Sequence, residues 1–87
     1  MLANPRPPGV VNMPALSDLQ AGQRAEILAL TGEPALVQRL YEFGLLEGET
    51  IEFLGQAPLG DPIEIRIGNA RVSLRKAEAA GISVNIL

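Results

Sequence analysis

The strongest constraint on this 87-residue chain is the run Ile63-Glu-Ile-Arg-Ile67, which alternates apolar and charged residues and leads directly into Gly68 and Asn69. Period-two alternation places Ile63, Ile65 and Ile67 on one face of a strand and Glu64 and Arg66 on the other. Gly and Asn both tolerate positive φ, so a two-residue hairpin turn is expected at 68–69. The returning strand then points Val72 and Leu74 inward and Arg71, Ser73 and Arg75 outward. A two-residue turn also fixes the register: Ile67 faces Ala70, Arg66 faces Arg71, and Ile65 faces Val72. Such a hairpin has one apolar face to bury, and a chain of this length has material for a single small core.

The rest of the chain reads as further short strands around one helix. Residues 1–13 hold three of the seven prolines and no periodicity, and are read as a flexible arm, or as a Pro-rich ligand for another domain. A short turn is expected at Ser17 or Asp18, anchored by Leu16 and Leu19. Residues 23–30 place Ala25, Ile27 and Ala29 on one face of a strand; Leu28 and Leu30 break the alternation, which fits cover on both faces. Pro34 suits the first position of a helix, where its missing N–H costs nothing. Leu36, Val37, Leu40, Tyr41 and Phe43 recur at helical spacing, and Gly44 ends the helix so that Leu45 folds back onto its last turn. Residues 50–57 form a strand with Ile51 and Phe53 on one face. An irregular loop occupies 57–62. One helical turn is expected from Lys76 to Ala80, stopped by Gly81, before a last strand carrying Ile82, Val84 and Ile86. Five short strands and one main helix make a mainly β chain, and closing them into a small barrel would remove exposed sheet edges.

Composition removes several function classes. The chain has no His and no Cys. Ser17, Ser73 and Ser83 therefore lack an ordinary catalytic base, leaving only a Lys-assisted serine through Lys76 as a formal possibility. Zinc-finger sites and thiol catalysis are excluded, and the missing cysteines fit a reducing, cytoplasmic setting. No segment has the Lys-Ser/Thr ending of a phosphate loop. The reading is not an enzyme, with no cofactor. A net charge of −3 argues against nucleic-acid binding. No apolar run is long enough to span a bilayer, so direct membrane insertion is not expected. High-affinity transition-metal sites recruit imidazole or thiolate, so metal binding falls to weak surface carboxylates, with Asp61, Glu64 and Glu78 as the candidates, set against a reading of all three as solvated charges.

Several segments, taken in order and spacing, resemble the FeoA family of small cytoplasmic proteins of bacterial ferrous-iron transport. They are Leu16-Ser-Asp-Leu-Gln-Ala-Gly22, Arg39-Leu-Tyr-Glu-Phe-Gly-Leu-Leu-Glu-Gly48, Ala57-Pro-Leu-Gly-Asp-Pro-Ile63, Val72-Ser-Leu-Arg-Lys-Ala-Glu-Ala, and Ile82-Ser-Val84. The resemblance covers residues 14–87. It implies an SH3-like five-stranded barrel with one inserted helix. It also implies an accessory role in iron uptake through contact with the cytoplasmic part of the membrane transporter FeoB, which would recruit the chain to the inner face of the membrane. The same module resembles the C-terminal domain of some metal-dependent repressors, so an SH3-like interaction or metal-responsive module unconnected with transport is the alternative.

Two surfaces are candidates for partner contact. One is the outer face of the hairpin, where Arg66 and Arg71 lie directly opposite, with Arg75 beyond them and Glu64 diagonal to both Arg71 and Arg75. It reads either as a screened surface pair or as a basic patch for an acidic partner segment. The other is the helix end, where Leu40, Tyr41, Phe43, Leu45 and Leu46 either all pack on the barrel or leave Tyr41 and Leu46 open for a partner or for self-association.

Overall fold

A computed structural model describes residues 14–87, so the expected N-terminal arm, 1–13, lies outside the described residues. The described residues open with a 3-10 turn at Leu16–Asp18, followed by β1 (Arg24–Leu30), α1 (Pro34–Glu42), β2 (Thr50–Gln56), β3 (Ile63–Ile67), β4 (Ala70–Leu74), α2 (Lys76–Ala79) and β5 (Ile82–Ile86). The strands form one antiparallel sheet in the order β4-β3-β2-β1-β5. All five expected strands are present, but hydrogen bonds do not close the sheet between β4 and β5. The short helix α2 links these two strands in sequence, and the 3-10 turn packs on both α2 and β5.

The β3–β4 hairpin has the expected register, with Ile67 opposite Ala70, Arg66 opposite Arg71 and Ile65 opposite Val72. Its turn differs in one respect. Gly68 takes φ +57°, whereas Asn69 keeps a negative φ, which is the φ pattern of a type II′ turn with Gly first.

Two bulges shape the sheet. On β1, Ile27 pairs with Val84 and Ala29 with Ser83, so Leu28 is an extra residue. On β2, Phe53 pairs with Ile65 and Gly55 with Glu64, so Leu54 is extra. An extra residue bends a strand and increases its twist, which lets a five-stranded sheet wrap around a core. The first bulge also shifts the side-chain phase of β1. Beyond it, Leu30 packs against the core, while Ala29, expected in line with Ala25 and Ile27, is only half-buried.

The core combines Leu16 and Leu19 from the N-terminal turn, Ala25 and Ile27 from β1, Ile51 and Phe53 from β2, and Ile63 and Ile65 from β3. Leu40, Leu45, Leu74, Ala79, Ile82 and Val84 complete it. Ile86, the third apolar position of β5, is 41% exposed. The helix α1 starts on Pro34 and ends in a Schellman motif: the Gly44 N–H donates to the Tyr41 carbonyl and the Leu45 N–H to the Leu40 carbonyl. Gly44 takes φ +96° to make this turn, and Leu40 and Leu45 are both fully buried beneath it.

Candidate functional site

The outer face of the sheet carries a continuous row of charge. Arg24 on β1 pairs with Glu52 on β2, Glu52 with Arg66 on β3, and Arg66 with Arg71 on β4. Positions directly opposite in an antiparallel sheet bring side chains close, so Arg66 and Arg71 repel at a cost of about 0.2–1 kcal/mol. Both find a carboxylate: Arg66 lies 3.5 Å from Glu52, and Arg71 lies 3.6 Å from Glu64. Exposed pairs of this length contribute about 0–1 kcal/mol each and are screened by salt. The row is therefore nearly neutral for the fold, and its carboxylates are easily exchanged for others. Arg75 makes no ion pair among the described residues.

The three carboxylates considered for metal have structural partners. Asp61 Oδ1 accepts from the Lys76 N–H at 3.0 Å, tying the 57–62 loop to the start of α2. Glu78 Oε1 reaches back to the Arg75 N–H at 3.0 Å, the return half of a capping box, while Glu78 Oε2 is ion-paired with Arg39. Glu64 is paired with Arg71. Among the described residues, no group of three or more His, Cys, Asp or Glu side chains converges. The capping role of Glu78 has a partial sequence signal in its position three residues after Arg75, but the usual Ser or Thr cap is missing.

At the helix end, the candidate residues divide. Leu40 and Leu45 are fully buried, so their side chains cannot touch a partner; the Schellman turn that joins them is the reason. Leu46 is 44% exposed, and Tyr41 is half-buried with its hydroxyl donating to Glu47 Oε2 at 2.9 Å. That hydrogen bond to a carboxylate, with a smaller effect of desolvation, holds the Tyr41 phenol above its ordinary pKa. Phe43, expected to pack with the helix stripe, is 45% exposed because it is the C-cap residue, where the chain leaves the helical path. It lines a groove of about 450 Å3 with Arg39, Pro62, Leu74, Arg75 and Glu78. Leu59, at the tip of the 57–62 loop, is 96% exposed, an exposure that neither alternation nor helical spacing predicts. Its one signal is its place between Pro58 and Gly60, where a loop tip holds an apolar residue away from any core.

A bent five-stranded sheet around one core, with α1 between its first two strands, defines the chain as a small SH3-like β module. A profile of the FeoA domain matches residues 15–86, and the chain belongs to the FeoA family. It is 39% identical over 72 residues to the Fe(2+) transport protein A/Fe(2+) transporter FeoB fusion protein of Porphyromonas gingivalis, a match that covers 83% of this chain and 8% of that protein. The FeoA protein of Chlorobium tepidum has a solution structure that superposes with a TM-score of 0.80 at 45% identity, covering 84% of this chain and 70% of that one. Stenotrophomonas maltophilia FeoA, solved with zinc and described as a prokaryotic SH3 domain protein, superposes with a TM-score of 0.69 at 29% identity, covering 82% and 88%. Domains of this family are associated with ferrous-iron transport, and one relative carries the domain in the same chain as FeoB. No helix among the described residues is long and apolar enough to cross a membrane.

Proposed function

We propose that this chain is a non-enzymatic accessory protein of bacterial ferrous-iron uptake that acts in the cytoplasm by binding the cytoplasmic part of a FeoB-type transporter. The observation that carries this reading is the fusion relative: a domain 39% identical to this one is covalently joined to FeoB, so in that protein the two are held at high effective concentration. Such a covalent link supports direct surface contact between a domain of this family and the transporter. The features that favour contact over chemistry are the absence of His and Cys and a surface that combines exposed Phe43, Leu46 and Leu59 with the arginine row. Arg66, Arg71 and Arg75 are the proposed polar contacts, and Tyr41 and Leu46 the proposed apolar ones. Deleting the gene and measuring uptake of radiolabelled ferrous iron tests the role. The expected result is a marked loss of uptake restored by the intact gene; normal uptake in the deletion strain would contradict it.

A further inference from the structure

We propose that the open edge of β4, with the groove beside it, is a strand-addition site for an extended acidic segment of a partner protein. Both ends of the sheet are strand edges, but they differ. The edge of β5 is covered: Ala15 bridges Ser83, and the Val84 N–H donates to the Pro14 carbonyl. Among the described residues, no strand pairs with the outer edge of β4.

The hairpin determines which groups that edge presents. Ile67 and Ala70 close the two-residue turn, so Ala70, Val72 and Leu74 share their hydrogen bonds with β3. The N–H and C=O groups of Arg71 and Ser73 alternate with these and point away from the sheet. The next outward N–H, that of Arg75, is taken by Glu78. The free edge is therefore short, with Arg71 and Arg75 flanking Ser73 on its outer side.

These side chains select the occupant. An incoming strand with carboxylates opposite Arg71 and Arg75 replaces the weak, exposed Arg71–Glu64 pair with a cross-strand one and gives Arg75 an ion-pair partner. Its alternate side chains fall on the other face, beside half-buried Val72 and the groove of Phe43, Pro62 and Leu74. The matching segment alternates acidic and apolar residues. A second copy of this chain does not match, because antiparallel pairing centred on Ser73 sets Arg71 against Arg75 of the other copy. Cations on an edge strand also guard against aggregation, and that role alone would leave the edge without a specific ligand.

The site deepens the transporter reading and rests on it for the partner's identity, so the two need separate tests. A displayed library of random peptides about ten residues long, long enough to cover one strand, is selected on the full chain. Enrichment of alternating acidic and apolar sequences, with the Arg71 and Ser73 amides gaining hydrogen-exchange protection on binding, is expected. Ser73→Pro removes one outward donor and leaves the β3–β4 ladder intact; it should weaken the selected peptides roughly three- to tenfold. Arg71→Glu and Arg75→Glu should also weaken them, and they decide the matter if the proline variant does not fold. No enrichment of such sequences, or binders insensitive to all three variants, overturns the site. The same variants are then measured against the transporter's cytoplasmic part. Undiminished binding there overturns the edge as the transporter's contact but not the transporter reading. Peptide binding at the edge without any transporter binding supports the edge site and removes the transporter as its partner.

Discussion

The phenol of Tyr41 donates to Glu47 Oε2, and this contact gives the helix end a readable signal, because Tyr41 is the single tyrosine of the chain. Ionisation would forfeit the hydrogen bond donated to Glu47, and desolvation and the facing carboxylate add smaller effects in the same direction, so the pKa is raised. For a group whose folded pKa is raised, the stabilising contribution is complete below the ordinary value near 10 and is lost as pH rises through the raised one. Ultraviolet titration of the folded protein should therefore give a tyrosine midpoint above 10, and Glu47→Gln should lower it. Gly81 supplies a second test at this scale. A Cβ there would lie 2.5 Å from the Thr31 carbonyl oxygen, in the segment where the Thr31 N–H and hydroxyl both donate to the Gly81 carbonyl. Gly81→Ala should cost about 1–3 kcal/mol in urea unfolding. Nothing in the run Ala79-Ala80-Gly81-Ile82 announces that close approach; Gly81 reads from sequence as a helix stop, and the crowding depends on Thr31, fifty positions away.

Individual elements were legible to different degrees, according to how local their causes are. The β3–β4 register follows from alternation and a two-residue turn, both contained within twelve residues, and it could be written down from the sequence. The Pro34 start and Gly44 stop of α1 are equally local. The bulge at Leu28 is not: it depends on how β1 meets β5, more than fifty residues on, and it moves the inward position from Ala29 to Leu30. The helix stripe also overran by one residue, since periodicity continues to Phe43 while the backbone leaves the helix there. Asp61 and Glu78 read from sequence as surface charges, and only folding brings Asp61 to the backbone of Lys76. Two substitutions test these elements by urea unfolding. Leu16→Ala removes a fully buried side chain from the N-terminal turn and should cost about 2–5 kcal/mol, a large part of what a domain this small has. Leu59→Glu changes a side chain with almost no packing to lose, so stability should stay within about 0.5 kcal/mol. Weaker transporter binding by that stable variant would mark the loop tip as a contact.

At the level of the whole molecule, the core and the surface do separate jobs. Among the described residues, fourteen buried apolar ones from every strand, both helices and the N-terminal turn hold the sheet in its bent form, and no polar or charged residue is buried with them. The charged residues are left to the surface, where the arginine row lies over a chain of net charge −3. This division suits a protein that presents a fixed surface to a partner rather than one that shapes a pocket around a substrate. Family membership supplies the iron-transport context, and the fusion relative supplies the reason to look at FeoB first. The most direct test is calorimetric titration of the full chain into the purified cytoplasmic part of FeoB from the same organism, with and without nucleotide. The account predicts saturable binding that weakens as salt is raised, as exposed arginine contacts require. A folded chain that gives no binding heat in any nucleotide state, and does not co-elute with the transporter domain at low salt, would contradict it.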